Sequence, residues 1–197
     1  LQMMLTSYED PALRSVQIED FSDIQYRGFI EGFYGGWDYK SRESLMRFAR
    51  DVKMNHYIYA SKTDPYHTSK WGELYPQSEI DQIQKLVKVG EETKCYYTWS
   101  VHISGFFTNL DTSNETAYNE RYQKLLAKFR QLYDAGVRKF DILNDDFGQG
   151  THEDVVNLLN KLTKEFIIPN NCKPITYCMQ GYNKAWSKEA ELSALKK

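Results

Sequence analysis

The residues of this chain best suited to chemistry lie between Lys139 and Gly148, in the order Lys-Phe-Asp-Ile-Leu-Asn-Asp-Asp-Phe-Gly. A short apolar run, Phe140 to Leu143, stops at two adjacent carboxylates, Asp145 and Asp146. A glycine and a capped helix pattern follow. That order reads as a strand delivering acids into the loop at its C-terminal end, where α/β folds carry their chemistry. Neighbours in a continuing strand point to opposite faces, so consecutive Asp residues share a pocket only where the chain leaves the pleat. Two carboxylates held close do not both ionise cheaply, and one is expected to keep its proton near neutral pH. A neutral acid beside an ionised one equips a site for acid-assisted cleavage of a glycosidic bond. The competing reading is that the pair only caps the next helix.

Those acids need a scaffold, and its elements can be read in order. Arg27 to Gly35 reads as a strand entering a backbone-rich loop. Behind Asp38 and Ser41, the spacing of Leu45, Phe48, Ala49 and Val52 predicts a helix with those residues inward. His56 to Ala60 is a second strand with a long loop, and Ser78 is expected to cap a helix carrying Ile80, Ile83, Leu86 and Val87. Cys95 to Val101 is a third strand. Tyr122, Leu125, Leu126, Phe129, Leu132 and Tyr133 then form a helical stripe that Gly136 ends. The acid-bearing strand comes fourth, followed by a helix begun by Thr151 and Asp154 and stopped by Pro169. Pro174 to Cys178 is a fifth strand, and a helix is expected after Ser187. Residues 1 to about 25 lack periodicity and read as a linker or remnant of a preceding domain, with a short strand near Val16 to Ile18.

Strand and helix alternate at intervals suited to parallel βαβ units. No GxGxxG follows the first strand, which disfavours a dinucleotide fold. Polar and aromatic residues gather after each strand, as in (β/α)8 barrels, of which five strands would be present. Spacing alone does not separate a closed barrel from an open doubly wound sheet; on the barrel reading, 26–197 is its N-terminal part.

The 197 residues suffice for one domain or part of a larger one. A net charge of −2 gives no reason to expect nucleic acid or an anionic membrane as partner. There is no apolar run of membrane-spanning length and no signal peptide, though the chain opens on Leu1 and so reads as an excised segment. Cys95, Cys172 and Cys178 lack metal-ligand spacing, and Cys95 and Cys178 read as small core residues. No metal or cofactor is expected. Asn114-Glu-Thr116 matches a glycosylation sequon of the kind that occurs by chance.

Four motifs together resemble family 84 glycoside hydrolases, the O-GlcNAcase-like and bacterial hyaluronidase-like β-N-acetylglucosaminidases. They are Phe29-Ile-Glu-Gly-Phe-Tyr-Gly35, Tyr59-Ala-Ser-Lys-Thr-Asp-Pro-Tyr-His67, Trp71 with Leu74-Tyr-Pro76, and Asp145-Asp146. The resemblance runs over about residues 27 to 186 and implies a (β/α)8 barrel and retaining, substrate-assisted hydrolysis of terminal β-linked N-acetylglucosamine. It implies that Asp145 holds the acetamido N–H while the acetamido oxygen attacks the anomeric carbon. Asp146 would be the general acid and then the base that activates water. Gly32 would let the backbone approach the sugar, Lys62 would bond its hydroxyls, and Tyr182 would reach the acetamido carbonyl. His67 and Trp71 would shape the second loop. Glycans or glycoproteins bearing N-acetylglucosamine are the implied partners, and a secreted or cell-surface bacterial enzyme is the implied setting.

The sequence departs from the family at Ser61, Thr63 and Thr68, where Pro, Asp and Arg are usual, and it lacks the usual Pro beside His102. The family's later sugar-gripping Asn and Asp residues are absent. An unfinished barrel would be inactive alone and would self-associate through its open side. Two other readings stand against hydrolysis: a non-catalytic glycan-binding or structural fragment, and a Mg²⁺-dependent phosphoryl-transfer enzyme with the Asp pair as ligands. The second lacks a P-loop.

Overall fold

The computed structural model describes residues 12, 15, 17, 19–146, 150–183 and 185–196. Five strands lie side by side in sequence order: β1 (Gly28–Glu31), β2 (His56–Tyr59), β3 (Tyr96–His102), β4 (Phe140–Leu143) and β5 (Thr176–Cys178). All four pairings are parallel. The described residues form six α-helices, five between strands and the last after β5: α1 (Tyr39–Asp51), α2 (Gln77–Thr93), α3 (Ser104–Phe107), α4 (Glu115–Asp134), α5 (His152–Leu162) and α6 (Glu189–Leu195). This is a half-barrel, the first five strands of a (β/α)8 architecture, as the alternation predicts. The strand expected near Val16 to Ile18 falls mostly outside the described residues.

The core lies between sheet and helices. Strand alternation sends Tyr57, Tyr97, Trp99 and Phe140 to that side. There Trp99, Phe129 of α4, Phe140 and Phe166 make a buried aromatic cluster, with Phe129 stacked on Phe140 at 4.6 Å between ring centres. The opposite face of the strands is the barrel interior. It carries Thr98, Ser100, His102 and Asp141 at the centre, and Ile30 and Tyr96 are each 49% exposed on it.

Local signals explain most element ends. Asn114 caps α4 by accepting the Ala117 N–H, and Gly136 takes φ +101° just beyond its end. Thr151 and Asp154 form a reciprocal capping box on α5. Two expectations need correction. The cap position of α2 is Pro76 rather than Ser78, with no side-chain bond, because Pro76, two residues earlier, holds φ −65° with an extended ψ of 155° and the helix starts directly after it. The buried residues of α1 are Arg42, Met46 and Ala49, while Phe48 and Val52 are exposed. The helix is rolled to bring the Arg42 guanidinium to a buried carboxylate, an electrostatic demand that apolar spacing does not reveal.

Candidate active site

Groups from the ends of β2, β3 and β5 gather around Asp145 at the end of β4, and the loop after β1 is tied to the β2 loop. At the end of β1, Glu31 is fully buried and accepts four hydrogen bonds. Two come from Arg42 at 2.8 Å each, one from the Tyr57 hydroxyl at 2.5 Å and one from the Trp37 N–H at 3.0 Å. Burial pushes its carboxyl upward, but Arg42, Tyr57 and Trp37 outweigh that and hold it below the usual range. Because Trp37 lies beyond the loop, this anchor sets where residues 32–36 run. Gly32 itself is exposed, and a Cβ there would meet only Ile30, at an ordinary 3.6 Å. The glycine the packing demands is Gly36, whose Cβ would come within 2.3 Å of Ser61 Oγ.

The loop after β2 is held from several sides. The Lys62 N–H donates to Phe33 O, linking it to the first loop. Asp64 accepts from the hydroxyls of Tyr59 (2.9 Å) and Tyr75 (2.6 Å) and from the Tyr66 N–H. Lys128 reaches in from α4 to donate to Tyr66 O and Lys70 O, between the rings of Tyr66 and Tyr75. Gln131 pairs with both backbone groups of Tyr75. His67 is buried and bonds Ser100 O through Nδ1, and Trp71 packs against Phe106 and Gly105. His67 and Trp71 thus shape the loop, as expected. The loop presents Lys62, whose Nζ lies 3.8 Å from Asp145 Oδ2.

Strand β3 contributes His102. The Ser104 N–H donates to Nδ1, which fixes Nδ1 as an acceptor and leaves Nε2–H to donate to Asp145 O at 3.0 Å. At β4 the ladder ends where the Asn144 N–H donates to Cys178 O. The next residues form a turn, with Asp146 in the left-handed region at φ +58°. The chain leaves the pleat at the acids, and the structural condition for neighbouring Asp residues to face one space is met. Asp145 is about one-fifth exposed and Asp146 is exposed. Asp145 Oδ1 has no hydrogen-bond partner among the described residues. Residues 147–149 lie outside them.

After β5, Tyr182 is half exposed with its ring set edge-on to Trp186 at 5.5 Å. The Asp146 carboxylate, with desolvation and Asp145 adding, pushes the Tyr182 phenol above its usual range. The structure thus gathers Asp145, Asp146, Lys62 and Tyr182, with Gly32 at the neighbouring strand end. It also adds Cys178, read above as a core residue. Cys178 is only partly buried, and its thiol is pushed up to about 11 by burial and by Asp145 and Asp146. Its place in register opposite Leu143 could have marked it, had the strand pairing been known. No group of three or more metal-ligating side chains occurs among the described residues.

Comparison with known proteins agrees with this geometry. Residues 27–197 match the family described as beta-N-acetylglucosaminidase. The Protein O-GlcNAcase of Rattus norvegicus and that of Mus musculus are each 29% identical over 120 residues, which is 60% of this chain and 12% of either protein. The solved structure of CpGH84D is 40% identical with a TM-score of 0.75, over 81% of this chain and 27% of that one. CpGH84B is 31% identical with a TM-score of 0.77, over 87% and 31%. The chain therefore spans about an eighth of the curated relatives it matches and under a third of these solved ones.

Proposed function

The chain belongs to the beta-N-acetylglucosaminidase family, and from that premise we propose that it supplies the acid-bearing half of a retaining β-N-acetylglucosaminidase barrel. The observation that carries the proposal is the turn at Asp145 and Asp146, open to one space and flanked by Lys62 and Tyr182. Asp145 accepts the N–H of the substrate's 2-acetamido group and turns its carbonyl oxygen toward the anomeric carbon. As that oxygen forms its bond to carbon, the glycosidic C–O bond breaks, and Asp146 gives its proton to the departing oxygen. Asp145 takes the N–H proton as the oxazoline forms. Water then attacks the anomeric carbon and gives a proton to Asp146, the bond from that carbon to the former acetamido oxygen breaks, and Asp145 returns the proton to nitrogen. Both displacements invert the anomeric carbon, so configuration is retained. Lys62 bonds sugar hydroxyls and Tyr182 the acetamido carbonyl. Gly32 is exposed and a Cβ there would meet only Ile30, which supports a close approach of sugar to backbone there.

The partners would be glycans or glycoproteins ending in β-linked N-acetylglucosamine. Ile30 and Tyr96, half exposed on the interior face, support a further proposal: the five-stranded chain alone is inactive and self-associates through that face. Light scattering and an aryl β-N-acetylglucosaminide assay test it, and a compact, active monomer of 197 residues would refute it.

The catalytic roles are tested in a complete barrel. Asp146→Asn should cripple substrates with poor leaving groups far more than activated aryl glycosides, while Asp145→Asn slows both. A thiazoline mimic of the oxazoline should inhibit, and substrates without an N-acyl group should not turn over. Equal, mild losses in both variants, or comparable turnover of plain glucosides, would remove the mechanism.

A further inference from the structure

Helix α6 buries a carboxylate where its packing alone calls for an apolar residue. Glu191 is 2% exposed and shares the buried side of α6 with Ala194. A buried charge persists only when its oxygens are hydrogen-bonded. Glu191 places both of them on the loop leading to Tyr182: Oε1 accepts the Gln180 N–H at 2.9 Å, and Oε2 accepts the Gly181 N–H at 3.2 Å. The Tyr177 hydroxyl, on β5, also donates to Oε1, at 3.4 Å. That hydroxyl in turn accepts from Asn144 Nδ2 at 3.2 Å, and Asn144 is the residue immediately before the acid pair. Asn144 is itself buried. A continuous hydrogen-bonded path, buried at Asn144 and Glu191 and partly buried at Tyr177, therefore runs from the turn that carries Asp145 and Asp146 to the carboxylate that holds the loop carrying Tyr182.

We propose that Glu191 is a positioning residue that fixes, through Tyr177 and Asn144, the Tyr182 loop relative to the acid-bearing turn. The inference rests on the site roles proposed above, in which Asp145 and Tyr182 grip one acetamido group from two sides. The bonds from Gln180 and Gly181 draw the loop close to its own later residues Trp186 and Ser187. Gly181 allows that approach, since a Cβ there would meet Trp186 O at 2.6 Å. The path is chemically specific. A Phe at 177 keeps the ring and cuts the path, and a Gln at 191 keeps the volume but offers an amide N–H where one of the two backbone donors needs an acceptor.

The test uses Tyr177→Phe, Glu191→Gln and Glu191→Leu in the full 197-residue chain, read first by NMR. Glu191→Leu should speed amide exchange at Gln180 and Gly181 by at least tenfold and also move the Asn144 side-chain amide signal. Tyr177→Phe should move the Asn144 signal while changing exchange at 180 and 181 less than threefold. In a complete barrel, Tyr177→Phe should lower kcat for an aryl β-N-acetylglucosaminide by about fivefold or more with KM within twofold. A merely structural role predicts lower thermal stability with kcat unchanged. An Asn144 signal unmoved in Glu191→Gln would overturn the proposal, also where Glu191→Leu fails to fold, because Glu191→Gln reports on the same path. Absence of any turnover by the parent barrel would refute the catalytic reading instead, leaving the NMR result to judge the path.

Discussion

Replacing Arg42 with Met tests whether the first loop is held by the charge pair beneath it. The Glu31 carboxylate is fully buried, and Arg42 supplies two of its four hydrogen bonds, both at 2.8 Å. Met fills much of the space between the rings of Tyr39 and Tyr59 that now flank the guanidinium. The loss is therefore mainly the charge and its two donors. Removing one partner of a buried ion pair costs roughly 3–5 kcal/mol, because the other charge is left stranded. For a chain of this size that corresponds to a fall in Tm of about 6–20 °C. Its pH dependence has a definite sign. The Glu31 carboxyl is held below its ordinary value of 4.5, so its contribution is present above that value and is lost as pH falls through the folded one. Without Arg42 that depression disappears, so the gap between parent and variant should narrow in acid. Adding Glu31→Gln should recover part of the loss, since the amide oxygen can still accept the Trp37 N–H and carries no charge. Thermal melts at pH 7 and pH 4 decide it. A fall of less than about 2 °C at pH 7, or a gap that does not narrow, would show that the pair does not anchor the loop.

Three other outcomes follow from the same contacts. Gly36→Ala should cost about 1–3 kcal/mol in a denaturant titration, because its Cβ would collide with Ser61 Oγ and Glu31 Oε1, both on buried residues. Asp146→Val should lose roughly 1–2 kcal/mol that Asp146→Asn does not, since φ +58° is tolerated by Asn and strained for a β-branched residue. The Lys128 ammonium is lowered to about 8 by burial, so between there and its ordinary 10.5 the unfolded chain binds more protons. Stability of the parent relative to Lys128→Met should therefore rise across that pH window, as denaturant midpoints taken from pH 7 to 10 would show.

Most of the scaffold was legible because it depends on period and punctuation. The stripe from Tyr122 to Tyr133, Gly136 after it and the Thr151–Asp154 box are local signals, and each appears where the pattern puts it. The face of α1 was not legible. Leu45, Phe48 and Val52 carry the apolar spacing, yet the helix answers to Glu31, eleven residues upstream of Arg42. Cys178 was misread for a related reason: its environment is made by a neighbouring strand's end rather than by its own run. Glu191, in a polar Ala-rich tail, looks solvated until the loop it holds is known. Contacts between distant segments decide these positions, and a single sequence does not display them.

The placement of the acids shows how the regular and irregular parts divide the work. A parallel ladder continued through Asp146 would send the two carboxylates to opposite faces of the sheet, one toward α4 and α5 and one into the barrel. The ladder instead ends at the Asn144 N–H, and Asp146 turns left-handed. A turn freed from the sheet gains its geometry only if its backbone is held otherwise. Here the Asp145 carbonyl is taken by His102 from β3, and Asn144 is tied to Tyr177 on β5. The two strands flanking β4 thus replace, with side chains, the ladder that the turn gives up. The turn owes its placement to that substitution, and it explains why polar side chains occupy strand-end positions that packing alone would fill with apolar ones.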